Sequence, residues 1–262
     1  MKYAYRRHSG FRLPRVAGAL LIAAVVAVPL QSAHAQNVSP SSTTDKTAIE
    51  KIVRDYILNN PEIITEAVQI LKDRKKLAEA AADRTMLDAN RTALLNSPDS
   101  PVGGNPKGDV TVVEFFDYRC GVCKRIRPII DQLQNSDPQI RRVYKEWPIL
   151  GPNSVLASRA AIASRKQGKY LSLHKVMMKA NSSFSEPAIM AMAKSVGINT
   201  DRLRRDMRSP ETDAILRKNY ALAEKLKLNG TPSFVIGDTL LRGGRDLESL
   251  RAIVAEARAR KK

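Results

Sequence analysis

Cysteine is nearly absent: Cys120 and Cys123, separated by two residues in FFDYRCGVCKRIRP, are the only two in 262 residues. A network of structural disulfides is excluded. A bond closing so short a loop would remove little unfolded-state entropy, so a structural staple is a poor reading of the pair. Histidine is scarce as well, and beyond residue 35 only His174 remains. The C-x-x-C pair therefore lacks the other half of a closed zinc site, and no carboxylates are spaced to replace it. A soft Cu(I) ion can be satisfied by two sulfurs, so that reading stays open. Aromatic residues make up only 5% of the chain and are not interleaved with its cations, which argues against a nucleic-acid surface. No apolar run after Leu30 is long enough to span a bilayer.

The N-terminus supplies the context for the pair. Lys2, Arg6, Arg7, Arg12 and Arg15 precede the apolar run VAGALLIAAVVAVPL and the triplet Ala33-His34-Ala35. Basic head, apolar middle and small-residue exit read as a secretory signal peptide over 1–35, cleaved after Ala35; a retained anchor is disfavoured by the short run and Pro29. The formal charge of +18 keeps a large positive excess without those five cations, and a solvated basic surface accounts for it. Export places the cysteines where a disulfide can form and persist.

Residues 36–100 read as a leader, a helical module and a linker. Ile49, Ile52, Val53, Tyr56 and Ile57 recur at helical spacing, and Asn60-Pro61 marks a break with a cap and a first-turn proline. A second helix repeats by seven through Ile63, Ile70 and Leu77 and through Ile64, Leu71 and Ala78, a stripe suited to meeting copies of itself. NSPDSPVGGNPKGD, 96–109, reads as the domain boundary. A second domain, 101–262, follows, with a central strand in TVVEFF, a helix from Cys120, and a strand in QIRRVYKEW. A helical insertion spans about 150–230, with Ser154, Ser185 and Ser209 as caps. Strands return in SFVI and TLLRG around a Gly237-Asp238 turn, and a last helix opens at Asp246. Strands bracketing a crossover helix predict an α/β sheet.

At the start of a helix, Cys120 faces unpaired backbone N–H groups that favour a thiolate, and Arg119, Lys124, Arg125 and Arg127 add positive potential. Cys123, one turn on, is expected to be more buried and less acidic, with Gly121 permitting the turn between them and Pro128 kinking the helix. Glu114, amid apolar neighbours, either points to solvent or is buried with a raised pKa and trades protons with the thiols; Arg142 and Lys145 are both possible partners. His174 reads as structural or surface, Met177, Met178, Met190 and Met192 as core filling, and Trp147 as packing a strand end.

CGVCKRIRPII resembles the active-site helix of the thioredoxin superfamily, and TPSFVIG resembles its cis-proline loop. VVEFFDYRCGVC is similar to exported DsbA-like oxidoreductases, and the resemblance covers about 105–258. GNPKGDVTVVEFFDYRCGVCKR, EWPILGPNS and IVRDYILNNPEII are similar to the ScsC-like, suppressor of copper sensitivity, group. The resemblance implies a thioredoxin fold with a helical insertion, preceded by an α-helical module. It implies thiol–disulfide exchange in the periplasm on exported cysteine-containing proteins, as an isomerase or reductase, with a DsbA-type oxidase or a Cu(I)-binding protein as alternatives. Cys120 is then the nucleophile, Cys123 the resolving thiol, Glu114 the buried proton acceptor, and Thr231-Pro232 a cis bond presenting backbone to substrate. No cofactor and no metal are implied. The partners implied are a membrane redox protein and further copies of the chain, joined through the N-terminal helices. The Gly-Val between the cysteines matches neither strong oxidases nor common isomerases, so it leaves the potential open.

Overall fold

A computed structural model describes residues 43–181 and 183–260, so the signal-peptide reading of 1–35 falls outside the described residues. The chain divides into two units, Met1–Pro61 and Glu62–Lys262. The described part of the first is helix α1 (Thr43–Asn59), whose end is closed by the Asn60 side chain donating to the Tyr56 carbonyl at 2.8 Å. Asn60 thus ends one helix rather than capping the next.

The second unit is built on strands β1 (Val102–Gly104), β2 (Val110–Phe116), β3 (Ile140–Glu146), β4 (Ser233–Ile236) and β5 (Thr239–Arg242), in the spatial order β1-β3-β2-β4-β5. β2 and β3 run parallel because helix α4 (Gly121–Ser136) carries the chain across between them; β4 and β5 form the antiparallel hairpin. Successive side chains alternate between faces. Val110 and Val112 of β2 and Ile140 of β3 pack with α4 and helix α10 (Leu247–Ala259). Val113, Phe115 and Val143 pack on the other face with Trp147 and with Leu222 and Leu226 at the end of helix α9 (Pro210–Lys225). Glu114 shares the α4 face with Val112. In the β2–β3 register Val112, Glu114 and Phe116 lie beside Arg142, Tyr144 and Glu146, so those three belong to that face as well.

The insertion comprises α5 (Pro152–Ser164), α6 (Tyr170–Lys179), α7 (Glu186–Ser195), α8 (Thr200–Met207) and α9. Ala157, Ala160, Ala161, Ala163, Ser154, Ser158 and Ser164 bury α5 on nearly every side, since small side chains let neighbouring helices approach. Gly151, not Ser154, stands at its start; the Ser154 hydroxyl donates to Asp117 at 2.8 Å. Met177, Met178 and Met190 fill this core, and Trp147 packs edge-on to Phe115.

The expected boundary at 96–109 differs from the structure. Helix α2 (Glu62–Ala89) and the short α3 (Arg91–Leu95) deliver Leu87 and Leu94 into the core beside Val113 and Phe115, and β1 adds an edge strand to β3. The glycines that suggested a linker instead permit close approach. A Cβ on Gly104 (φ +68°) would lie 2.5 Å from the Ile140 carbonyl oxygen, and one on Gly108 would lie 2.4 Å from that of Gln139. Lys145, on the face opposite Glu114, holds the same segment, donating to the Ala93 carbonyl at 2.7 Å and the Ser100 hydroxyl at 2.6 Å. Burial lowers its pKa to about 8. Leu94→Ala is therefore expected to destabilise the sheet-containing unit by about 2–5 kcal/mol in denaturant unfolding. A value near zero would mean that residues 62–100 fold apart from the sheet.

Candidate active site

Strand β2 ends at Phe116, and the chain turns through Asp117, Tyr118 and Arg119 into Cys120, the N-cap of α4. Asp117 locks the turn: its carboxylate accepts the Arg119 N–H at 2.7 Å and the Leu150 N–H at 2.9 Å, and its backbone carbonyl accepts the Cys120 N–H at 3.1 Å. The Cys120 sulfur accepts the Cys123 N–H at 3.2 Å, the role a serine oxygen plays at an ordinary helix start. Across from it the Thr231–Pro232 peptide is cis, and the Thr231 carbonyl oxygen lies 3.3 Å from the Cys120 sulfur. Residues 111 positions apart in sequence are thus brought together at the free dithiol.

Both sulfurs are more enclosed than a surface nucleophile, Cys120 at 6% exposure and Cys123 at 0%. The Cys120 thiol is nevertheless pulled down to about 6. The largest cause is the hydrogen bond from the Cys123 thiol; burial opposes it, and the Thr231 side chain and the backbone N–H groups of Cys123 and Val122 assist. Cys123 shifts upward, through that same bond and burial, and the Glu114 charge adds to the effect. The expected asymmetry is present, but the cations do not carry it. Arg119 donates to the Leu150 carbonyl, Lys124 to the Ala180 carbonyl, and Arg127 to Asp131 at 3.0 Å. Nor is Gly121 needed for its conformation, since a Cβ there would meet only the Arg125 guanidinium at 3.5 Å.

Glu114 is fully buried. One of its oxygens, Oε2, accepts from Arg142 Nη2 at 2.6 Å and Nε at 3.1 Å, while Oε1 is buried without a hydrogen-bond partner among the described residues. Face parity selects Arg142 and sends Lys145 to the other side of the sheet. Arg142 also donates to Asp131 on α4 at 2.9 Å, tying the pair to the helix that carries the cysteines.

A second buried carboxylate, absent from the candidate residues, stands at the end of β3. Glu146 accepts Tyr118 and Tyr170 hydroxyls on one oxygen, at 2.9 and 2.7 Å, and the Ser158 hydroxyl on the other at 2.7 Å. Burial raises its pKa to about 8, against the three hydroxyls that favour its ionised form. His174 is likewise buried and held well below its usual range by desolvation, its Nδ1 3.0 Å from the Tyr118 hydroxyl. The sequence signal was the charged end of a strand otherwise buried, overlooked because Glu146 borders Trp147-Pro148 and reads as a strand terminus.

A DSBA-like thioredoxin domain model matches residues 111–255, more than half of the chain. The chain belongs to the DsbA-like thioredoxin family. Ahead of the DsbA-like domain, residues 45–78 match the N-terminal domain of copper resistance protein ScsC. A thioredoxin-like oxidoreductase from Silicibacter pomeroyi is 47% identical, with 66% of this chain and 99% of that one covered at a TM-score of 0.63. The catalytic domain of Proteus mirabilis ScsC is 31% identical over 67% of this chain and 98% of its own, at a TM-score of 0.62. Among curated relatives, Na(+)/H(+) antiporter NhaA 3 of Salinispora tropica is 25% identical over 70% of this chain, which spans only 29% of that protein's length. The probable disulfide bond formation protein D of Bacillus anthracis is 24% identical over 58% of this chain and 75% of its own. DsbA-like and ScsC neighbours are those of a thiol–disulfide oxidoreductase.

Two titrations check this electrostatic picture. Thiolate absorbance of the reduced protein is expected to show one group titrating near pH 6, lost in Cys120→Ser. Glu146, raised from about 4.5 to about 8, favours the folded state below 4.5 and loses that contribution as pH rises through 8. Glu146→Gln is therefore expected to gain stability relative to the parent by a few kcal/mol across that window. A constant difference would place the carboxylate in a wetter site.

Proposed function

We propose that this DsbA-like chain is an exported thiol–disulfide exchange protein of the periplasm that acts on other exported, cysteine-containing proteins as a disulfide isomerase or reductase. The carrying observation is the Cys120 sulfur, acidified at the N-terminus of α4 and set 3.3 Å from the Thr231 carbonyl of a cis-proline loop. The Cys120 thiolate attacks one sulfur of a substrate disulfide; a mixed disulfide forms and the other substrate sulfur leaves as thiolate. If that thiolate, or another in the substrate, attacks the mixed disulfide, Cys120 is released unchanged and the substrate is isomerised. If Cys123 attacks instead, its proton passes to Glu114, the Cys120–Cys123 disulfide forms, and the substrate leaves reduced. A membrane redox protein must then return two electrons. Thr231-Pro232 supplies backbone to an extended substrate segment.

The Cys120 thiol, lowered to about 6, stops well short of the acidity of strongly oxidising DsbA proteins, which supports isomerase or reductase over oxidase. Cu(I) held across both sulfurs is less favoured, because Cys123 is fully enclosed and committed to Cys120. Self-association has its own support: Ile49, Ile52, Val53 and Tyr56 on α1 and Ile64, Ile70, Leu71 and Leu77 on α2 are large apolar side chains at least half exposed in the single chain. The match to an ScsC N-terminal domain spans the same residues.

Cys120→Ser is expected to abolish reactivation of a scrambled disulfide protein, and Cys123→Ser to accumulate the mixed disulfide on non-reducing gels. Retained turnover in Cys120→Ser would overturn the mechanism. Light scattering is expected to show an oligomer that becomes monomeric when residues 1–78 are removed, and a monomeric parent chain would remove the support from the N-terminal helices.

A further inference from the structure

The buried carboxyl at the end of β3 has a geometry that core packing does not require. Hydroxyls from three separate places converge on Glu146: Tyr118 from the turn before Cys120, Ser158 from α5 and Tyr170 from α6. Its own backbone carbonyl accepts the Asn219 side chain of α9 at 3.0 Å. The Tyr118 hydroxyl has one proton and two partners. If it donates to Glu146, His174 Nδ1–H must donate to it, leaving His174 Nε2 as a bare acceptor; that nitrogen is indeed buried without a partner among the described residues. His174 is enclosed by the rings of Phe116, Tyr118, Tyr144 and Tyr170, with centroids 4.8 to 5.8 Å away. Asp117, Arg142 and Arg127 are the remaining charges that act on the cluster.

We infer that Glu146, with Tyr118 and His174, is a positioning device for the redox turn, clamping the helical insertion to the peptide that delivers Cys120. The reason lies in what makes Cys120 acidic. Its acidity comes from hydrogen bonds at the first turn of α4 and from Thr231, and these hold only while the segment 117–120 keeps its place. Asp117 ties that segment by its backbone and by Leu150, but the side chain between Asp117 and Arg119 is Tyr118, and among the described residues its hydroxyl is held by this cluster alone. Glu146 and His174 bond to hydroxyls and act on the sulfurs only through the turn they hold. The inference deepens the exchange reading and rests on it for its biological meaning, yet the thiol titration tests it independently.

The test is thiolate absorbance against pH on the full chain, beside thermal melting. Tyr118→Phe keeps the ring and removes the hydroxyl; it is expected to raise the Cys120 titration by at least about half a unit and to slow exchange near pH 6 severalfold. Glu146→Gln, which still offers an oxygen to Tyr118, is expected to keep the parent titration, whereas Glu146→Ala is expected to shift it as Tyr118→Phe does. Leu203→Ala, in the insertion core without a polar link to the cluster, is expected to lower the melting temperature and leave the titration in place. Should Glu146→Ala fail to fold, Tyr118→Phe against Leu203→Ala decides the matter. An unshifted titration in Tyr118→Phe, or an equal shift in Leu203→Ala, would overturn the inference. Absence of exchange by the parent, with the titration shifts as expected, would instead count against the exchange function alone.

Discussion

A helix start leaves backbone N–H groups without partners inside the helix, and in this protein a sulfur occupies the position from which one of them is satisfied. The arrangement rests on that exchange of a thiolate for a capping oxygen. It requires β2 to end one tight turn before α4, Asp117 to hold that turn, and Thr231 to lie alongside the sulfur. Charge of the ordinary kind, the run of arginines and lysines flanking the cysteines, contributes less than its density suggests, because Arg119, Lys124 and Arg127 are spent on carbonyls and on Asp131.

Two glutamates on one face of the sheet show how surroundings separate like groups. Glu114, against Arg142, sits in an ion pair that reaches α4 through Asp131. Glu146 has hydroxyls only, and burial keeps it mostly protonated near neutrality, with a pKa of about 8. One is paired with a guanidinium, the other sits among hydroxyls without placing a net charge in the core. Both depend on strand parity: a one-residue slip in β3 would turn Arg142, Tyr144 and Glu146 toward α9 and bring Lys145 into the thiol face.

Much of this was legible in the residues. The apolar run of β2, the cysteine pair after it, the β4–β5 hairpin and the cap at Asp246 each carry local signals strong enough to survive folding. The misreadings have a common cause. Gly103, Gly104 and Gly108 looked like linker because a sequence does not distinguish flexibility from crowding, and Leu87 and Leu94 looked like the tail of a module because nothing nearby in sequence could cover them. Glu146 was an ordinary charged residue until its face was known. The choice of Arg142 for Glu114 needed the register of two strands.

By itself the sequence determined which residues could do chemistry: one dithiol, one acid six residues upstream, one proline before a strand, and the order of helices and strands around them. Periodicity, capping and composition act over a few residues, so these were available without the fold. Tertiary structure alone decided which acid met which cation, which hydroxyls enclosed Glu146, and where the catalytic unit begins. Those are contacts between residues tens of positions apart, and their energies depend on burial and on face, two quantities that exist only once the chain has closed on itself.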